Sequence, residues 1–578
     1  MAKTRIQPIC LERLSNEGER AETLHWDGRL DNRDDLRLRW RESLKGKSGD
    51  AALALAAYER WGTNGLAHLI GDWSVVIHDR ADGSIVLASD FAGVRPLYYH
   101  VRGVQVVWSS RLQSLLEETG ISDLDENYIA GFLTFGGCPN RTPYKGILSV
   151  PAGHAVCVST RGTTIRRFWT LPTGDVIRYQ SQHRYEEQFR ALFREAIAVR
   201  LRTDSPVLAE LSGGLDSSSV VSMANHLIRT GAAEAPGLVP VSYLWRDSLD
   251  EAFIRDVESF CGLEGRHLST HDHPLINETE LGDTTPQQFA PLLRSVAAIA
   301  GHLGAKVILT GQNGDLITGN WFDDSLQIAA SLRSLRLGQA CKDALAWSKI
   351  LRLPVPWILW RAIRAALPLA LAPANAYTIK DGSYAPSSSE TSLLPTFREQ
   401  SGVLEAARFF SDGWRHASPE RRKYFQALSM MQELRTLQAP EPLQHLEYTH
   451  PFAHRPLVEF LMTIPVDVLC GPGEPRRLMR RTLSDLWPER LRKRRSKGSF
   501  NAPWLEALRP LAHRLLMARE FQVVERGFVD RRSFLSRLKR LSAGLDCNEP
   551  QLRQIVLLEL WLRKWSTSST CEGRLHAA

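Results

Sequence analysis

The stretch Pro206-Val-Leu-Ala-Glu-Leu-Ser-Gly-Gly-Leu-Asp-Ser-Ser218, continued by Ser219-Val-Val-Ser-Met-Ala-Asn-His-Leu-Ile228, decides how this chain folds. A short apolar run leads into a glycine pair and then into a helix pattern. Strand, loop and helix in that order let backbone N–H groups at a helix N-terminus hold a phosphate. Gly213 and Gly214 allow the backbone to approach it closely, and Ser212, Ser217 and Ser218 add hydroxyl donors. Asp216 offers a hard oxygen ligand for Mg²⁺. No Lys follows the glycines, so the pattern G-x-x-x-x-G-K-S/T is absent here. The plain alternative is a Gly-Gly turn with a Ser/Asp helix cap; it leaves the order of strand, loop and helix unexplained.

Working outward, strand and helix patterns alternate over 206–211, 216–230, 237–245, 250–262, 289–303 and 305–310, after a first helix at about 185–201. That alternation predicts a parallel sheet covered by helices. Beyond about residue 325 strand signals largely vanish and helices are expected, with a Ser-rich loop at 385–392. Upstream, residues 1–170 form an expected α+β domain. Its strand-like runs are Trp73–His78, Ser84–Ala88, Leu97–His100 and Val104–Trp108, with a helix pattern at 49–61. A Pro- and Gly-bearing linker at 170–176 opens the second domain, 171–578.

Composition is that of an ordinary globular protein, with 43% hydrophobic and 24% charged residues in 578. The cysteines (Cys10, Cys138, Cys157, Cys261, Cys341, Cys470, Cys547 and Cys571) contain no C-x-x-C pair. That argues against structural zinc and a disulfide framework and fits a reducing cytoplasm. The first residues lack an apolar signal core, and the most hydrophobic region, about 350–376, is too broken by Arg and Pro to span a membrane. The net charge is +8, and Arg476, Arg477, Arg480, Arg481, Arg490, Arg492, Lys493, Arg494, Arg495 and Lys497 are concentrated in one stretch. Taken alone, such a run reads as a solvated helix face. Binding of phosphates, an acidic peptide or nucleic acid is the other reading. No RNA-binding module or paired-Cys sulfur site supports the nucleic acid.

Ser212–Ser218 resembles the PP-loop of enzymes that split ATP between its α- and β-phosphates. With further segments the chain resembles the asparagine synthetase family over nearly its whole length. In the first domain these are Trp26–Asn32, Gly71–Asp79, Asp90–Tyr99, Thr142–Ile147 and Pro151–His154. In the second they are Lys306–Asp315, Glu447-Tyr-Thr-His-Pro-Phe452 and Arg494-Arg-Ser-Lys-Gly-Ser-Phe500. The resemblance implies a class II glutamine amidotransferase-like domain, degenerate, followed by an α/β PP-loop ATP-pyrophosphatase domain (adenine nucleotide alpha hydrolase-like) with a helical C-terminal part. It implies that Leu211, Ser212, Gly213, Gly214, Leu215, Asp216, Ser217, Ser218, Ser242, Tyr243, Gly311 and Gln312 bind ATP. It implies that Asp216 and Asp315 share Mg²⁺, that Lys497 neutralises charge at the reacting centre, and that Glu447 orients or deprotonates an amine. A capping or salt-bridging role for Glu447 stays open, and Asp250 and Glu251 are expected to cap the next helix.

Three departures separate this sequence from the family pattern. Residue 2 is Ala and Cys10 lies too near the Asp27-Gly28 segment, so the first domain is expected not to hydrolyse glutamine. Gln312 and Leu316 stand where asparagine-forming members carry acids, and Thr449 stands where they carry Arg. A member with an ATP site but no ammonia supply takes its amine elsewhere. His450–Phe460, Pro472–Arg481 and Arg495–Gly498 look most like the lasso peptide cyclase branch, and position 312 lacks the Tyr of β-lactam synthetases. This resemblance implies a precursor peptide as substrate, with a leader peptidase and a leader-recognition protein as partners.

Overall fold

The computed structural model describes residues 24–40, 49–103, 105–173, 176–319, 323–367, 392–406, 414, 417–495, 498, 501–545 and 550–575. Cys10, most of the Ser-rich stretch and Lys497 lie outside the described residues.

Strands β1 (Leu24–Leu30), β2 (Gly71–His78), β3 (Ile85–Ser89), β4 (Tyr98–Arg102), β5 (Gln105–Ser109), β6 (Leu148–Ser149), β7 (His154–Ser159) and β8 (Gly162–Arg167) build two antiparallel sheets. Their orders are β1-β2-β3-β7-β8 and β5-β4-β6. Alternation along β2 sends Trp73, Val75 and Ile77 toward helices Arg33–Arg39 and Asp50–Trp61, and Val76 toward the smaller sheet. The expected helix at 49–61 and the four expected strands are therefore present. β1, β7 and β8 carry too little apolar alternation to be read in advance.

Two glycines shape the β1–β2 pair. Gly28 (φ +126°) and Gly71 (φ +150°) lie so close to the opposing strand that an added Cβ would sit 2.1 Å from a carbonyl oxygen. Between them, Arg29 and Asp72 are direct cross-strand partners, and their side chains pair at 2.9 Å.

The second sheet is wholly parallel: β9 (Val207–Glu210), β10 (Leu238–Leu244), β11 (Arg266–Ser269), β12 (Val307–Leu309) and β13 (Glu447–Thr449), in the order β11-β10-β9-β12-β13. Helices Gln182–Ala198, Leu215–Arg229 and Glu251–Cys261 contribute to the core on one face. Helix Ala290–Leu303 packs on the other. The expected alternation holds, with two corrections: β11 forms at Arg266–Ser269, between expected elements, and a further strand, β13, forms far beyond residue 325. It has only three residues, so no local pattern could announce it. Helices Asn501–Met517, Arg531–Ser542 and Pro550–Leu575 share a further core with Glu126–Phe135 of the first domain. Among the described residues no helix is long and apolar enough to cross a membrane.

The domains meet over buried charge. Arg200, with a side chain that has no exposure, lies 3.3 Å from Asp72 and 3.6 Å from Asp31 of the first domain. It also donates to the Thr449 hydroxyl at 2.8 Å. Arg29 pairs with Asp31 and Asp72 and reaches across to Glu447. His454 Nδ1 lies 3.1 Å from Asp31. Burial alone would push the Asp31 and Asp72 carboxyls up, but the Arg29 and Arg200 guanidiniums hold both below the usual carboxylate range, Asp72 at about 2. Carboxyls depressed in the folded state stabilise above their unfolded value near 3.8, and that contribution is lost as pH falls toward 2. Asp72→Asn, which leaves Arg29 and Arg200 to share Asp31, should lower unfolding free energy at neutral pH by about 3–5 kcal/mol. It should also shrink the stability lost between pH 4 and 2, as read by denaturant titration across that range.

Candidate active site

At the carboxyl end of β9 the chain turns through Leu211–Gly214 into helix Leu215–Arg229. Gly213 adopts φ +68°, and a Cβ there would lie 2.9 Å from the Asp250 carbonyl oxygen. Only glycine suits this left-handed, crowded position. No side chain caps the helix, which leaves its first-turn N–H groups for an anion. Ser212 is tied to Ser217, with its backbone N–H 3.1 Å and its hydroxyl 3.0 Å from the Ser217 Oγ. The buried hydroxyls of Ser218 and Ser242 have no hydrogen-bond partner among the described residues. Two orphaned hydroxyls, one in the first turn of the helix and one on the neighbouring strand β10, are what a polar ligand would satisfy.

The segment after β12 closes on this loop. A Cβ at Gly311 would lie 2.6 Å from the Ser217 backbone nitrogen, and one at Gly314 would lie 2.7 Å from the Asp216 Cγ. The expected neighbours Asp216 and Asp315 are thus brought to adjoining positions, since Asp315 follows the residue that touches Asp216 directly. No group of three or more metal-binding side chains exists among the described residues. Two carboxylates that leave most coordination places to phosphate and water fit Mg²⁺ rather than a caged cation.

The basic run is only partly a solvated face. Arg481, Arg490, Arg492, Lys493 and Arg495 are exposed, whereas Arg476 and Arg494 are buried. Arg494 donates to the Gly213 carbonyl oxygen at 2.7 Å, pairs with Asp250, and lies 3.9 Å from the Phe253 ring centroid. Asp250 stands at the start of helix Glu251–Cys261 but makes no capping bond. Its carboxylate accepts from Arg494 and from the Gly498 N–H at 3.0 Å. This corrects the expected capping role: a buried arginine outcompetes the helix for the acid. Gly498 is thereby moored to the loop's far wall.

Glu447 is not brought to the loop. It opens β13, in register with Val307 and, through it, with Val207, about 10 Å along the strand from the ligand edge. There it pairs with Arg29, which favours the salt-bridging alternative over a role at the reacting centre. Thr449, at the family's Arg position, instead has two guanidiniums nearby: Arg200 at 2.8 Å and Arg29 at 3.4 Å.

A different acid stands at the ligand edge. Glu210, the last residue of β9, accepts from the Tyr243 hydroxyl at 3.2 Å and the Tyr448 hydroxyl at 3.4 Å. Gln312 Nε2 donates to Tyr448 at 2.7 Å. Burial pushes the Glu210 carboxyl up to about 7, against the pull of the two tyrosine hydrogen bonds. The only hint of it in sequence is a carboxylate closing an otherwise apolar strand.

A parallel sheet with this loop at its carboxyl edge, docked on an antiparallel two-sheet domain, defines a PP-loop nucleotide-binding fold joined to an amidotransferase-like domain. The chain belongs to the asparagine synthase family, which residues 188–563 match. Residues 5–169 match the glutamine amidotransferase domain. It is 27% identical over 294 residues to the amidase chry2 of Gibberella zeae, covering 46% of this chain and 42% of that protein. It is 30% identical over 234 residues to the glutamine-hydrolyzing asparagine synthetase 3 of Bacillus subtilis, covering 36% of this chain and 35% of that protein. It is 28% identical over 305 residues to the glutamine-hydrolyzing asparagine synthetase 1 of Arabidopsis thaliana, covering 51% and 48%. The chain thus spans less than half the length of these curated relatives.

Two outcomes test the geometry. Gly311→Ala should push the closing segment off Ser217 and weaken ATP binding by at least about tenfold, some 1.4 kcal/mol, in calorimetric titration. Glu210 is raised when folded, so its contribution to stability is present below about 4.5 and lost as pH rises through 7. Glu210→Gln should remove that loss, worth at most about 3 kcal/mol, from denaturation curves taken between pH 5 and 8.

Proposed function

We propose that this protein is an AMP-forming carbon–nitrogen ligase that activates a substrate carboxylate as its adenylate and passes the acyl group to an amine. The observation that carries this reading is the closure of the Gly311–Gly314 segment onto the Ser212–Ser218 loop. That closure sets Gly314, the residue before Asp315, against Asp216 beside the loop, which supports a phosphate site served by two carboxylates. In the first step a carboxylate oxygen attacks the α-phosphorus of ATP and pyrophosphate leaves. In the second an amine attacks the mixed anhydride carbonyl, loses a proton and expels AMP. Bound Mg²⁺, held by Asp216 and Asp315, would offset phosphate charge in the first step. The loop N–H groups and the Ser212, Ser217 and Ser218 hydroxyls bind and orient the phosphates, and Lys497 neutralises charge on the reacting groups. Ser242 and Tyr243 flank the adenine.

The finer reading is a lasso peptide cyclase. The acid would be an Asp or Glu side chain of a precursor peptide, the amine its freed N-terminus, and the product a macrolactam. The 450–460, 472–481 and 495–498 segments support it. In this reading the first domain is a scaffold and the partners are a leader peptidase and a leader-recognition protein. Holding the threaded peptide so that amine and carbonyl meet could supply up to about 7–11 kcal/mol. A second reading, a ligase for a small acid such as aspartate, is favoured by the 30% identity to an asparagine synthetase.

Mass spectrometry of a precursor peptide incubated with the protein, ATP, Mg²⁺ and leader peptidase distinguishes them. The cyclase reading expects a product lighter by one water, with AMP formed by the wild type and not by Asp216→Ala. AMP formed only with aspartate and an amine would establish the small-acid ligase instead.

A further inference from the structure

Asp216, assigned to the metal, is already held by a cation belonging to the protein. Arg476 Nε lies 2.8 Å from one Asp216 carboxylate oxygen, and a terminal nitrogen of the same guanidinium binds the other. The two side chains are only 11% and 16% exposed, so this fork-on-fork pair is largely removed from water. Both oxygens that a divalent cation would use are engaged.

The pair sits in a frame built to keep Arg476 in place. Its backbone is left-handed (φ +54°), unusual for a residue with a side chain. Its N–H donates at 2.8 Å to the carbonyl oxygen of Gly319, just beyond the short helix that carries Asp315. Arg480, one turn on, donates to the carbonyl oxygens of Pro475, Arg492 and Arg494. The backbone at 475–476 is thereby fixed to both the Asp315 segment and the Arg494 strut.

We infer that Arg476 is a positioning residue that competes with Mg²⁺ for Asp216 and is transferred to the departing pyrophosphate when a metal–nucleotide complex binds. The inference rests on the ATP-splitting reading above. Mg²⁺ alone must displace a largely buried guanidinium from the carboxylate that pairs with it, which is unfavourable. A magnesium–phosphate complex with surplus negative charge offers that guanidinium a new partner beside the loop. Arg476 thus couples the two binding events: it opposes the bare metal and favours metal plus polyphosphate. A purely structural arginine would affect both in the same direction.

The test is calorimetric titration of the full chain with Mg²⁺ alone, with Mg²⁺ plus inorganic pyrophosphate, and with Mg²⁺ plus α,β-methylene-ATP. Arg476→Ala should bind Mg²⁺ alone at least tenfold more tightly, and Mg–pyrophosphate at least tenfold more weakly, than wild type. Arg476→Lys keeps the charge without the fork and should fall between them, guarding against a misfolded alanine variant. The exposed Arg481→Ala should move neither value. Parallel weakening of both ligands, or no change in either, overturns the proposal. Failure of the wild type to bind either phosphate ligand, with or without Mg²⁺, would instead overturn the ATP-splitting reading on which it depends.

Discussion

A guanidinium with no exposed surface must be answered by carboxylates, and for Arg200 those come from another domain. Asp72 in β2 and Asp31 just after β1 lie about 130–170 residues earlier in the chain. Arg29 balances the surplus of negative charge and extends it to Glu447. None of these groups could be buried alone at tolerable cost. The docking of the antiparallel domain on the parallel sheet is therefore a condition for either face of the junction to exist as it does, and β13, paired with β12, contributes Glu447 and Thr449 to it.

The second electrostatic arrangement lies around the nucleotide loop. Arg494 grips one wall through Gly213 and Asp250, and Arg476 grips the other through Asp216. A charge run that composition alone assigns to solvent is thus divided by function. Its buried members organise a loop that has no lysine of its own. Its exposed members remain on the surface, free to contribute long-range attraction for anionic ligands.

What was legible in the sequence follows from the range of the interactions involved. The loop 212–218 and its flanking strand and helix are local, and so are the alternating elements up to residue 310 apart from β11; periodicity and turn chemistry expose them. Asp216 and Asp315 were legible because each lies within a short segment with a recognisable residue pattern. β13 was not, since three residues have no period and its strand character comes from pairing with β12. Asp250 looked like a cap because its competing partner is 244 residues away. Glu447 matched a family position in sequence, yet its environment is set by Arg29, 418 residues away. Glu210 escaped notice because nothing local distinguishes a carboxylate at the end of a strand from one buried between two tyrosines.

Strand β13 is three residues long and alternates in direction. Glu447 and Thr449 turn to the domain junction, while Tyr448 between them turns to Glu210 and Gln312. A shift of one residue would exchange the two faces, setting a tyrosine among buried ions and a threonine opposite Glu210. The register of one peripheral strand therefore serves as a shared gauge, by which the antiparallel domain can set the spacing of the edge on which Glu210 lies. Insertion or deletion is harmless in most surface connections of such a fold; between residues 443 and 450 it would break the link between the Asp31–Asp72–Arg200 junction and the Glu210 edge in one step.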